Sequence, residues 1–167
     1  MLKGKKADFT DPIIIIIIIF FLAVSLVTSV FVVSKLKLVI QDTPLSDSPS
    51  AAMIIDSMDT LMDYSVQNAF MFIFAFLIIG TIVSSFMVKV HPVWLFLYIL
   101  FGGLGVLIAV FLANAYNAFI NAGAFLAIAA TQTKINYVMQ HAVEIMIGVV
   151  ALGAIVMFSR GGATEGV

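Results

Sequence analysis

Four apolar runs, each close to the length a bilayer demands, constrain this chain more than any other feature. A hydrocarbon core takes about 20 helical residues to cross. Residues 12–34, 68–89, 92–121 and 140–159 each contain such a run. The first opens with seven isoleucines in succession, Ile13 to Ile19. In water, a β-branched block of this kind reads as a strand or an aggregation hazard. In lipid, a lone strand leaves its N–H and C=O groups unpaired, so a helix is the form that remains. The block has no polar face and no small residue. It is expected to face lipid or to be buried all round.

Composition supports the same environment. Hydrophobic residues make up 63% of the chain and charged residues 10%, with a mean hydropathy of +1.20. Ordinary globular domains hold roughly 45–50% and 25%. A chain of 167 residues fits one domain, and a domain so small has too much surface for its volume to hide that excess from water. A soluble enzyme, a soluble nucleic-acid-binding domain and a disordered chain are excluded. The expected fold is all-α: an integral membrane protein with four transmembrane helices and a short amphipathic outer helix.

The junctions between runs carry most of the detail. A basic tail, residues 1–11, holds Lys3, Lys5 and Lys6. The run that follows is longer than a secretory h-region of roughly 7–15 residues, and no A-x-A-like site follows it, so it reads as an uncleaved anchor. The second run includes Gly80, Thr81, Ser84 and Ser85, and ends at Lys89-Val90-His91-Pro92, a turn. Pro92 suits the start of the third helix, and Trp94 and Tyr98 suit an interfacial aromatic belt. That helix is expected to continue past the lipid as a polar extension, with Gly123 as its left-handed C-terminal residue. Four crossings put both termini and the Lys89 turn on one side. That side carries Lys3, Lys5, Lys6, Lys89 and Arg160 against Lys35, Lys37 and Lys134, which favours cytoplasmic or genome-facing termini, including the 160–167 tail.

Two segments lie outside the lipid in this reading. Residues 35–67 form an acidic loop with an amphipathic helix. Its start, Lys35 to Ile40, is an extension of the first helix or a short strand. Ser48 before Pro49 marks an N-cap followed by the first helical residue. Ile54, Ile55, Met58, Leu61, Met62 and Val66 then recur at spacings of three and four, and Asp56, Asp59 and Asp63 do so on another face. The aspartates fit a solvated polar face, a docking stripe for a basic partner, or a cation site; the last lacks the glycine turn of a calcium loop. Residues 122–139 form the second outer loop, in which Thr131 to Lys134 is expected to face water. Asn114, Asn117 and Asn121 share one helix face, either the wet side of an emerging helix or a polar path between subunits.

Groups that do chemistry are scarce. Ionisable residues deep in a span are functional suspects, and the nearest case is His141 with Glu144, one turn apart at the start of the fourth run. They read as a snorkelling interfacial pair or a proton relay. There is no cysteine, and the two histidines are too far apart in sequence for a local metal motif. No nucleophile elbow, phosphate loop or zinc motif is present, so no catalytic residue, cofactor, metal or small-molecule substrate is expected. Gly102, Gly105, Ala109 and Ala113 form a ladder of small residues that lets helices approach closely. Gly148, Ala151 and Ala154 form a second small face. The two faces are expected to meet within the chain or to meet a neighbouring copy in a homo-oligomer.

The order of four short motifs carries a resemblance. Lys89-Val90-His91-Pro92 precedes an apolar span, followed by Leu112-Ala113-Asn114-Ala115-Tyr116-Asn117, then Asn136-Tyr137-Val138-Met139, then a span ending Ile155-Val156-Met157-Phe158. Over roughly residues 84–159 this resembles small multispanning membrane proteins of tailless icosahedral bacteriophages with an internal membrane. The isoleucine-rich run and the acidic loop are not part of that pattern. The resemblance implies a structural protein of the virion's internal membrane, resident in the host inner membrane before assembly. It would lie beneath the capsid, with lipid and capsid or other membrane proteins as partners. Lys3, Lys5 and Lys6 are placed for non-specific contact with packaged genome, whose phosphates attract lysines. The competing expectations are a holin-like pore-forming protein and an accessory subunit of a membrane transport complex.

Overall fold

A computed structural model describes residues 11–44, 48–87 and 92–161. The described residues are helical, with no strand among them. Helix α1 is Asp11–Gln41, α2 is Pro49–Thr60, α3 is Val66–Met87, α4 is Pro92–Ile120, α5 is Leu126–Thr131, α6 is Thr133–Gln140 and α7 is Ala142–Gly161. Four helical stretches are long and apolar enough to cross a membrane: Ile13–Gln41, Pro49–Val83, Leu95–Ile120 and Ala142–Ser159. The chain is an all-α membrane protein. Lys3, Lys5, Lys6, Lys89 and His91 lie outside the described residues, as do the side chains of Trp94 and Arg160.

Local chemistry explains several boundaries. Residues 35–40 continue α1 and form no strand. The Ser48 hydroxyl accepts the Ala51 N–H at 3.1 Å, and Pro49 begins α2, as the sequence predicts. The amphipathic helix does run on into the second span, through one π-turn at Leu61–Ser65. The second outer segment differs from the expected loop, because it folds into α5 and α6. Gly123 also departs from expectation. No described residue has positive φ, and α4 stops at Ile120. The physical reason is Phe125, whose ring packs 4.8 Å from Phe31 and 4.4 Å from Phe119. That contact draws the chain across the end of α4 through a turn in which the Phe125 N–H donates to the Ala122 carbonyl at 2.8 Å.

Round the bundle the order is α1, α4, α7, α3. Helices α3 and α4, consecutive in sequence, stand across from one another with α7 between them. The buried stripe of α4 is Tyr98, Gly102, Gly105, Ala109, Ala113, Tyr116 and Ile120, spaced by three and four. Small residues fill its middle and tyrosines its ends. A β-carbon on Gly102 would collide with the Val150 side chain, and one on Gly105 would lie 2.7 Å from Met146 Cε. Close approach of α4 and α7 therefore depends on Gly102, which faces the stiff Val150, while the flexible end of Met146 can yield at Gly105. The isoleucine block is neither wholly buried nor wholly lipid-facing. Ile16 and Ile19 point inward, and Ile14, Ile17 and Ile18 point outward.

Helix α1 is out of step with the others. A β-carbon on Gly105 would lie 3.5 Å from Ile13 Cγ1. Gly105 stands 13 residues into α4, about 20 Å from its start. The first turn of α1 therefore meets α4 halfway along. Farther toward the opposite end, Gly153 of α7 sits against Tyr98 of α4 and Ser85 of α3. Among the described residues that end is a three-helix bundle. The other end holds four helices plus a head made of α2, α5, α6 and the ends of α1 and α4. Its core joins Val27, Phe70, Tyr116, Ile135 and Met139.

Candidate functional site: a polar clasp beneath the head

The largest concentration of buried polar contacts lies where the head meets the bundle. Gln67, in the first turn of α3, is buried and uses its whole amide. Its Nε2 donates to the Asp63 and Thr131 carbonyls, both at 3.0 Å. Its Oε1 accepts the Lys134 N–H at 3.0 Å and the Thr133 hydroxyl at 3.4 Å. Gln132, between α5 and α6, reaches the other way. Its Nε2 donates to the Met62 carbonyl at 3.1 Å and to Thr131 Oγ1 at 3.1 Å. Two carbonyls of the π-turn, those of Met62 and Asp63, thus receive side-chain amide protons. A π-turn is often found at functional sites; here it is held by glutamines from both sides.

Tyr116 and Asn136 extend the clasp. The Tyr116 hydroxyl donates to Asn136 Oδ1 at 2.7 Å, and Asn136 Nδ2 donates to the Ala129 carbonyl at 2.6 Å. Lys134 Nζ donates to Asn68 Oδ1. One chain of contacts therefore ties α3, α4, α5 and α6 together. Buried polar groups are stabilising only when partnered, and nearly all of these are. The exception is Gln132 Oε1, which is buried without a hydrogen-bond partner among the described residues.

The residues singled out from sequence fall as follows. Asp59 does not stand free: Lys37 of α1 donates to its two carboxylate oxygens at 2.5 and 2.7 Å. Asp56 and Asp63 are exposed. The aspartates are thus not one uniform stripe; the middle one fastens α2 to α1. The His141–Glu144 pair is not formed. The His141 ring packs on Tyr137 with centroids 4.3 Å apart, and its Nδ1 lies 2.9 Å from the Tyr137 carbonyl. His141 ends α6, where free carbonyls attract it, so it turns back rather than forward to Glu144, which is exposed. Asn114 and Asn121 are exposed, and Asn121 Nδ2 bonds back to the Asn117 carbonyl.

The two small faces do not meet each other. The ladder of Gly102, Gly105, Ala109 and Ala113 packs on Met146 and Val150 of α7 and on Ile13 and Ile16 of α1. Gly148 and Ala151 turn outward, and nothing lies within 4 Å of a β-carbon on Gly148. The inward face of α7 is instead Ala142, Met146, Val149, Gly153 and Met157. Sequence reasoning also missed Gln67 and Gln132. Gln132 lies in Thr131 to Lys134, which was expected to face water, yet it is fully buried.

Between α1, α3 and α7 lies an apolar cavity of about 20 Å³ lined by Ile15, Ile19, Phe74, Ile78, Ile145 and Val149. Thr81 also lines it, and its hydroxyl donates to the Leu77 carbonyl at 2.7 Å. A space so apolar offers water too few partners. Among the described residues no three His, Asp or Glu side chains converge. The arrangement fastens helices. No family of known proteins, no curated protein and no solved structure matches this chain.

Proposed function

We propose that this chain is a structural membrane protein that anchors or shapes the internal membrane of a viral particle beneath its capsid. The observation that carries the reading is the division of the molecule. Its lipid-depth interior is closed by tyrosines, glycines, methionines and an apolar cavity, with the hydroxyls of Thr81 and Ser85 bonded back to their own helix, and its buried glutamines fasten a head to the bundle. Such an interior suits a scaffold and offers ions no wet path, because conduction needs a polar or charged lining. The motif order over residues 84–159 supports the virion setting. An exposed Asp56 and Asp63 on the head suit contact with a basic coat surface. In this reading the head faces the capsid and the termini face the genome.

The test is isolation of particles followed by delipidation. The expected result is that the chain co-purifies in many copies and crosslinks from the head to coat protein. Crosslinks confined to nucleic acid reverse the orientation. Absence from particles, with abrupt loss of membrane potential on expression alone, replaces the reading with a holin-like one. Co-purification with a cellular transport complex replaces it with an accessory-subunit role.

A further inference from the structure

The long helix that runs from α2 into α3 does not keep one rhythm of burial. Ala51, Ile55, Met58 and Met62, buried or half-buried, lie on one line, spaced by three and four. Gln67, Phe70, Phe74, Leu77 and Thr81 lie on a second line, spaced likewise. Met62 and Gln67 are five residues apart, so a regular α-helix would turn the two lines about 100° away from each other. The π-turn at Leu61–Ser65 falls at that slip. Its i→i+5 closure spends one residue more than an α-turn and brings both lines to face inward. From this coincidence we infer that the π-turn is a latch: α2 docks on the body only while the turn is held, and release of its clasp lets α2 leave. The latch stands apart from the scaffold role and holds whatever the head meets.

The aspartates make this docking strict. Each directly follows an inward residue: Asp56 follows Ile55, Asp59 follows Met58 and Asp63 follows Met62. With α3 fixed, relaxing the turn to an α-helix would advance α2 by one residue, about 100° and 1.5 Å. All three aspartates would enter the places of Ile55, Met58 and Met62. Thr60 would stand before Lys37 in place of Asp59. Carboxylates are costly to bury without partners, so α2 would leave the body rather than turn upon it. The clasp opposes that relaxation. A π-turn is rare, and here the Met62 and Asp63 carbonyls accept amide protons from Gln132 and Gln67. Gln132 is wholly buried, and its Oε1 has no hydrogen-bond partner among the described residues. That unmade bond is a cost, set against the two that its Nε2 makes. Gln132 is also the member of the clasp that lies outside the joined helix, so its withdrawal is what opens the latch.

The chain has no cysteine, so paired labels are clean. Spin labels at Ser57 of α2 and Ser29 of α1, both exposed, report docking as a distance, read by double electron–electron resonance in phosphatidylcholine–phosphatidylglycerol nanodiscs. The parent protein is expected to give one narrow distance. Gln132→Leu keeps the bulk and removes the amide; it is expected to broaden the distance and lengthen it by about 10 Å, a helix diameter. Tyr64 is exposed, with Lys134 Nζ 5.9 Å above its ring. Deleting Tyr64 from the Gln132→Leu protein is expected to restore the narrow parental distance, because Met62 and Gln67 are then four residues apart and an ordinary α-helix carries both lines. Amide exchange in α4 and α7, read on the same samples, is expected to stay at the parental rate, which separates undocking from unfolding. An unchanged distance in Gln132→Leu overturns the latch, and so does a deletion that fails to restore docking. Should Gln132→Leu not fold, the deletion alone decides: the docked distance supports the latch and a lengthened one overturns it. Particle association tests the scaffold role separately and moves with neither variant's distance.

Discussion

Glycine does two different jobs on α7, and substitution separates them. A β-carbon on Gly153 falls on the Tyr98 hydroxyl, with Ser85 Oγ 3.2 Å away. Gly153→Ala forces Tyr98 out of place and is expected to cost about 1–3 kcal/mol, the range for overpacking a tight core. Tyr98→Phe deletes the clashing oxygen. In the double variant the two costs should fall short of their sum by about 1 kcal/mol, as contacting sites do. Gly148→Ala meets nothing and, by helix propensity, gains up to about 1 kcal/mol. Thermal unfolding of the four variants beside the parent protein, in one detergent, reads all three outcomes. A loss at 148 with none at 153 would show that α7 presents the other face. Sequence alone did not distinguish these faces. Helix α7 is apolar nearly all round, and such a helix carries no amphipathic signal to say which side is inward. On α4 the ladder is legible because Gly105, Ala109 and Ala113 recur every four residues.

Among the elements, the joint between α2 and α3 is where two kinds of polar contact differ in strength. Gln67 is buried and fully bonded, so Gln67→Ala strands the Lys134 N–H and two carbonyls. The expected loss is about 1–3 kcal/mol, the cost of unmade buried bonds. Amide exchange should quicken through α5, α6 and the π-turn and stay slow at the far end of α7. The Lys37–Asp59 pair is partly exposed, at 22% and 44%, and water screens it. Asp59→Asn is expected to cost no more than about 1 kcal/mol, read as a small shift in the same melt. A larger loss there than at Gln67 would mean that the ion pair, not the clasp, holds α2. Sequence periodicity revealed α2 and its N-cap because Ser48-Pro49 and the three-four spacing are local signals. The clasp escaped because its residues lie up to 70 positions apart, and Gln132 within a polar run looks like any wet glutamine.

At the scale of the whole molecule, lipid affinity is written into composition, but the relative height of the helices is not. Four run lengths say that four helices fit a bilayer; they do not say where one slides against the next. That register comes from Gly105 admitting Ile13 and from Phe125 seating between Phe31 and Phe119, contacts between distant parts of the chain. Sidedness is an expectation from the charge pattern, since four crossings would group five basic residues with the termini and three with the head. A cysteine at Ser57, exposed on α2, and one at Ser159, exposed near the end of α7, test it in intact cells. The Ser57→Cys protein should react with a membrane-impermeant maleimide added outside, and Ser159→Cys only after the membrane is opened. That outcome would suit the proposed setting, in which the head meets a shell and the termini meet a genome. Inverted labelling would leave the helical bundle intact but put the head and its exposed Asp56 and Asp63 on the inner side, away from any shell.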